Sequence, residues 1–355
     1  MKTYKNLFEQ IISPENLFIA WERFKKGKRN KRDVAKFEFD LERNIFKLHR
    51  DLKGKKYRHG PYFSFYIRDP KVRHIHKATV RDRVLHHAMF RILNIIFEPT
   101  FIPTAFSCRV GKGAHKGVRK AAKMLRTVSK NNTCSCYVLK CDVKKFFDSI
   151  DQRLLIHILE KRIKDENTRW LLREIIESYP NVVNERERES TAPRKKGVPI
   201  GNLTSQLFAN VYMNEFDQYV KHVLRVQYYA RYTDDFVIIA DSQEYLLKLL
   251  PLLQAFLKKR LGLRLHPDKV FIRSYHQGID FLGYGMLPHH IVLRTKTKRR
   301  MLRKLRGRAG EYALGGITEQ TLRATLQSYL GVISHANARR LRDDVLNEFW
   351  FWRGE

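Results

Sequence analysis

The chain has 355 residues, enough for a sizeable core and, at roughly 150 residues per domain, about two units. With 43% hydrophobic and 30% charged residues it reads as globular, which excludes a disordered or purely solvating chain. Lys and Arg number 70 against 36 Asp and Glu, and a formal charge of +34 repels itself and points to a polyanionic partner, nucleic acid before an anionic membrane.

Ser13-Pro14 supplies an N-cap and a first helical residue for a basic helix through "ENLFIAWERFKKGKRNKR". A second helical pattern covers "AKFEFDLERNIFKLHRDLKGK". "YFSFYIRDPKVRHI" alternates around Asp69-Pro70, the mark of two strands joined by a turn. "RDRVLHHAMFRILNIIFEP" predicts an amphipathic helix closed by Pro99, and "VRKAAKMLRTVSKNN" another that ends at Asn131-Asn132. "CYVLKCDVKKFF" reads as a buried strand running into a turn, with two helices after it. Pro180 to Lys196 is charged and Pro-containing, an expected exposed insert. "GNLTSQLFANVYMNEFDQYVKHVL" has the apolar spacing of a long buried helix. Next come a hairpin around Asp234, a helix over "SQEYLLKLLPLLQAFLKKRLG", and short strands through "KVFIRS" and "IDFLGYGML". A boundary is expected near residue 290, followed by "TKTKRRMLRKLRGR", with eight basic residues from Lys296 to Arg308, and two more helices. The final "WFWRG" reads as a core anchor.

No apolar run reaches the about 20 residues of a spanning helix, and the start lacks a signal-peptide pattern, so the expectation is a cytoplasmic protein without a membrane. Cys108, Cys134, Cys136 and Cys141 fit reduced thiols, and Cys134-Ser-Cys136 lacks the paired spacing of a zinc site. "GKGAHKGVRK" lacks P-loop spacing and reads as a basic helix start against backbone phosphate. His74, His76, His86 and His87 have no carboxylate or Cys at ligand spacing and read as helix-surface or core histidines.

Asp234 and Asp235 stand side by side in "ARYTDDFVIIAD". Adjacent side chains on a strand point to opposite faces, so the two serve one site only if a turn falls between the flanking strands. An Asp pair is also ordinary turn chemistry. Asp142, at the end of another apolar strand, shifts the balance: two acidic strand ends in so basic a chain suggest a shared divalent-cation site. Mg²⁺ takes carboxylate oxygens and substrate phosphates, and two such ions about 3.5–4 Å apart clamp a phosphoryl transfer.

"YTDD" at Tyr232–Asp235 resembles the YxDD box of reverse transcriptases. "CDVKKFFDSID" resembles their first-aspartate motif, and "GVPIGNLTSQLFANVYMNEFD" the motif between the two. Ile200-Gly201-Asn202-Leu203-Thr204-Ser205-Gln206 resembles the diversity-generating retroelement group, as do "FSCRVGKGAHKGV", "RDRVLHHA" and "IDFLGYGM"; intron and retron enzymes are wider relatives. The resemblance implies an α+β right-hand polymerase: an N-terminal helical extension of the fingers over 1–60, fingers and palm (antiparallel sheet plus helices) over 61–289, and a basic helical thumb over 290–355. It implies an RNA-directed DNA polymerase that copies template RNA into cDNA from dNTPs, error-prone at template adenines. A small basic ring-forming accessory protein is the expected partner.

By the same resemblance, Asp142, Asp234 and Asp235 are catalytic. Together with Val143 they hold two Mg²⁺ ions, for which Mn²⁺ substitutes. Phe147 is either the aromatic gate under the deoxyribose or a core residue beside Phe146. Lys71 and Arg73, expected on one face of a strand, and Arg81 at the next helix start would grip the triphosphate, unless they are a solvated basic face. Ile200, Gly201 and Gln206 would line the nucleotide pocket, and Lys269 would protonate the leaving pyrophosphate. Tyr232, Thr233, Leu282, Gly283, Tyr284, Lys298, Arg299 and Arg303 would meet primer and template. The chain stops at Glu355, so no maturase or endonuclease extension is expected after the thumb. The alternatives are a phage-defence, retron or intron-type enzyme, or a non-catalytic RNA-binding polymerase shell.

Overall fold

A computed structural model describes residues 2–69, 71–179 and 195–352, with side chains described as far as Phe349. Pro70 of the expected turn, 180–194 of the expected insert, and the terminal Trp350, Phe351 and Trp352 side chains lie outside the described residues. The chain divides into two compact units. One comprises Met1–Arg109, Asp142–Val226 and Pro251–Asp268, the other Val110–Cys141, Gln227–Leu250 and Lys269–Glu355.

The first unit opens with α1 (Phe8–Ile12) and α2 (Pro14–Lys25). Ser13 caps α2 by accepting the Asn16 N–H at 3.2 Å, and Leu17, Ala20, Trp21 and Phe24 make its buried stripe. The single helix expected after it is two, α3 (Arg32–Phe39) and α4 (Leu41–Lys53). Asp40 interrupts them at φ −110 and ψ 40, outside helical geometry, as suits a short polar side chain. Strands β1 (Phe63–Ile67) and β2 (Arg73–Lys77) pair antiparallel from Phe63↔Lys77 to Ile67↔Arg73, and β1 is exposed along its whole length.

Thr79 caps α5 (Val80–Phe97). Asp151 and Asp165 cap α8 (Gln152–Arg162) and α9 (Glu166–Glu177), which follow the short α7 (Phe146–Ser149). Asp165 also accepts the N–H groups of Leu7 and Phe8 at 2.7 and 2.8 Å, which fastens the start of the chain to α9. The expected long buried helix is α10 (Leu203–Gln218), whose last turn widens into a π-helical turn over Tyr219–Val223.

The second unit contains α6 (Ala114–Val128) and a sheet of strand order β4-β5-β3-β6. Its members are β3 (Tyr137–Asp142), β4 (Tyr228–Tyr232), β5 (Asp235–Ala240) and β6 (Phe271–Ser274). β4–β5 and β3–β6 are antiparallel, and β5 is buried from Phe236 to Ala240. Helix α11 (Gln243–Leu261) crosses from this unit into the first at Pro251. A second sheet, β7-β8-β9 (Ile279–Phe281, Tyr284–Met286, Ile291–Leu293), leads into three helices: α12 (Thr295–Ala313), α13 (Glu319–Ile333) and α14 (Arg339–Trp352). Met301, Leu305 and Ala309 bury one stripe of α12, while Lys298, Arg299 and Arg303 are exposed. No helix among the described residues is long and apolar enough to cross a membrane.

Candidate active site

Strands β4 and β5 are joined by two residues, Thr233 and Asp234, with Tyr232 opposite Asp235. Thr233 takes φ +57, the left-handed region that a β-branched residue rarely enters and that two-residue hairpins require at their first turn position. Arg231, 1% exposed within β4, donates from Nη1 to the Thr233 carbonyl at 2.9 Å. A buried guanidinium therefore fastens the backbone of the turn. Tyr232 through Asp235 are half-buried, whereas the residues on both sides are buried, so the acidic pair is the part of the hairpin that meets solvent.

β5 is flanked by β3, which ends at Asp142. Lys140 Nζ lies 3.6 Å from Asp235 Oδ2 and donates to the Asp280 carbonyl at 2.8 Å, which sets the C-terminal part of β3 beside the start of β5. Asp142, two residues on, shares the Lys140 face of its strand. Between them, burial and then the Asp235 carboxylate push the Cys141 thiol above its ordinary value, so it stays protonated and inert. Beyond Asp142, Val143 bridges Leu265 through the His266 N–H to the Asp142 carbonyl (2.8 Å) and the Lys144 N–H to the Arg264 carbonyl (2.9 Å). Those two bonds leave the carbonyl of Val143 itself out of the bridge.

In the first unit, Lys145 at φ +46 turns the chain into α7. Of the adjacent aromatics, Phe146 is 3% exposed and Phe147 half-buried, so Phe146 is the core residue of the pair. The Phe147 carbonyl accepts the Val198 N–H at 3.0 Å, and the Ile200 carbonyl accepts the His76 N–H of β2 at 3.0 Å. Gly201, at φ +111, has the Cγ2 of Ile75 only 2.8 Å from where a Cβ would stand. Ile200 is half-buried and Gly201 and Gln206 are exposed.

One expectation needs correction. Lys71 is not on a strand with Arg73, because β2 begins at Arg73 and Lys71 lies in the preceding bend. The Arg81 guanidinium bonds Asp82 and the Arg58 carbonyl and lies 5.1 Å over the Tyr57 ring. Tyr284 is 3% exposed, with its hydroxyl donated to the Val332 carbonyl at 3.0 Å. Its neighbours Leu282 and Gly283 form a two-residue turn, both at positive φ, between β7 and β8. Lys269 ends a 3-10 turn just before β6.

Sequence reasoning missed Arg231, Lys140 and Asn202. A basic residue inside an apolar strand was the available signal for the first two. Asn202 carried none.

Among the described residues no group of three or more His, Cys, Asp or Glu is gathered closely enough to hold a metal by itself. The expected donors are all oxygen: the Asp142 carboxylate and the Val143 carbonyl in the first unit, and the Asp234 and Asp235 carboxylates in the second. Oxygen is the donor type that a hard ion such as Mg²⁺ takes together with substrate phosphates and water.

The mixture of helices and antiparallel sheets, with an acidic two-residue hairpin, is consistent with an α+β polymerase fold. The chain belongs to the family described as "Reverse transcriptase (RNA-dependent DNA polymerase)", whose model matches residues 67–286. Among curated proteins it is 26% identical over 249 residues to "Protein YkfC" of Escherichia coli (strain K12), covering 61% of this chain and 64% of that protein. It is 21% identical over 353 residues to "Group II intron-encoded protein LtrA" of Lactococcus lactis subsp. cremoris, covering 80% and 57%. It is also 25% identical over 155 residues to "Nuclear intron maturase 4, mitochondrial" of Arabidopsis thaliana, covering 44% and 18%. The chain thus spans about three-fifths of the length of the first two relatives.

Proposed function

We propose that the chain is an RNA-directed DNA polymerase that copies a template RNA into cDNA, and that it is of the diversity-generating retroelement type. The observation that carries the reading is the Thr233–Asp234 hairpin, an acidic tip on two buried strands within the span that matches the family. Asp142 and Asp234 would hold two Mg²⁺ ions with the Val143 carbonyl, and Asp235 would complete the negative charge. When bound, the ions neutralise charge at the attacking and leaving oxygens of phosphoryl transfer. Phe147 excludes a 2′-hydroxyl by its bulk, while Arg73, Gly201 and Gln206 face the nucleotide. Ile200 offers no side-chain amide to the nucleotide, which favours relaxed discrimination at template adenines. Lys298, Arg299 and Arg303 meet backbone phosphates and make binding salt-dependent. A small basic ring-forming protein is the partner that this type of enzyme would take.

Primer extension on an RNA template, with dNTPs and rNTPs compared, tests the activity. The absence of dNTP incorporation with Mg²⁺ or Mn²⁺, with or without the partner, overturns it. Asp234→Asn should slow extension about a thousandfold, the equivalent of about 4 kcal/mol of lost charge stabilisation. A second reading, an intron-type reverse transcriptase, is favoured by the intron-encoded and maturase names among the relatives. Sequencing the cDNA separates the two: errors concentrated opposite adenine support the retroelement type, and faithful copying with the partner present supports the intron type.

A further inference from the structure

We propose that Asn202 is a positioning residue for nucleotide selection, fastening β2 to the Ile200–Gly201 turn so that the two keep one spacing. The proposal rests on the polymerase reading above. The stretch from Gly197 to Asn202 has no helix or strand of its own, yet four of its six residues are anchored by hydrogen bonds. Gly197 donates to the Ile150 carbonyl at 2.7 Å and accepts Gln152 Nε2 at 2.9 Å, and Val198 donates to the carbonyl of Phe147 at 3.0 Å. At the far end the partner is β2. His76 N–H donates to the Ile200 carbonyl at 3.0 Å, and the His76 carbonyl accepts Asn202 Nδ2 at 2.9 Å. The Ala78 N–H donates to Asn202 Oδ1 at 3.4 Å.

Asn202 is 2% exposed, so these bonds have little water to replace them. Its one planar amide presents the acceptor to an N–H and the donor to a carbonyl, as the next residue of a strand would. Between the two anchors sits Gly201, pressed against Ile75 with no room for a side chain. The absence of a side chain at Gly201 permits this close approach, and the Asn202 amide, with the His76–Ile200 bond, holds it. Two residues before the turn, Val198 is bonded to the carbonyl of Phe147, so a change in the turn's spacing is passed along this stretch to the residue proposed to lie beneath the sugar.

Asp is the isosteric test, because a carboxylate can still accept the Ala78 N–H but meets the His76 carbonyl with a second acceptor. Single-nucleotide incorporation by the full chain on an RNA template is measured against dNTP concentration, each variant relative to wild type at the same pH. For Asn202→Asp, KM for dNTP should rise about tenfold, with kcat within about threefold and template–primer affinity unchanged. The KM defect should shrink as pH falls from 8 to 6 and the carboxyl regains a proton to donate. Asn202→Ala should show the same rise in KM without the pH dependence; if it does not fold, Asn202→Asp carries the test. An unchanged KM in the folded variants overturns the proposal, including when melting temperature and kcat fall together, and leaves the polymerase reading in place. A wild-type chain that incorporates no dNTP overturns both.

Discussion

Replacing Gly201 by Ala introduces two separable costs. The residue sits at φ +111, where an L side chain is strained by about 2 kcal/mol. Its new Cβ would also stand 2.8 Å from Ile75 Cγ2, an approach that forces the half-buried Ile75 off its position, at about 1–2 kcal/mol. Gly201→Ala should therefore lower stability by about 3–4 kcal/mol. Ile75→Ala removes the clashing methyl and alone should cost about 1–2 kcal/mol, since the site is only half-buried. In the double variant the clash is gone while the backbone strain stays, so the pair should be about 1–2 kcal/mol more stable than the sum of the singles predicts. Denaturant midpoints with a common slope give these numbers, and KM for dNTP reports whether the pocket follows. Strictly additive losses would refute the contact argument, and a Gly201→Ala variant as stable as wild type would refute the strain argument as well.

Arg231→Met should leave the Thr233 carbonyl without its donor at a nearly buried site, costing about 2 kcal/mol and lowering kcat for extension. Arg231→Lys should recover only part of this, because an ammonium lacks the planar fork; full recovery would show that charge alone matters. Phe147→Ala should raise rNTP use relative to dNTP by about tenfold or more with little change in melting temperature, because Phe146 is the core member of the pair; unchanged sugar selectivity would reject the gate. Burial, then the neighbouring His59, lowers the pKa of His86 to about 3, and neither ring nitrogen has a hydrogen-bond partner. The unfolded chain binds that proton below about 6.5, so stability should fall as pH drops from 6.5 toward 3, with about 2 kcal/mol lost from this residue by pH 5. His86→Leu should flatten that slope in pH-dependent unfolding, and an unchanged slope would place the linkage elsewhere.

The helices, the two-residue acidic hairpin and the basic amphipathic α12 were legible because each is written in local spacing. The break at Asp40 was missed because the apolar pattern runs through it while the backbone does not. Lys71 was misplaced for a similar reason: alternation persists into the bend before β2. Long-range pairing left no local trace. Nothing near Asn202 in sequence marks it as the partner of His76, 126 residues away, and nothing near Lys140 announces Asp235 or Asp280. The burial of Tyr284 depends on Val332 of a later helix, so "LGY" alone reads as an open turn.

Strand β1 has a consequence for anyone who handles the protein. All five of its residues are exposed, with Phe63 at 79% and Tyr66 at 63%, and among the described residues it pairs only with β2. An uncovered apolar edge of this kind invites a second copy to pair with it as concentration rises. The charge of +34 opposes that encounter at low salt, but added salt screens the repulsion. Purification in high salt therefore removes the like-charge barrier to self-association.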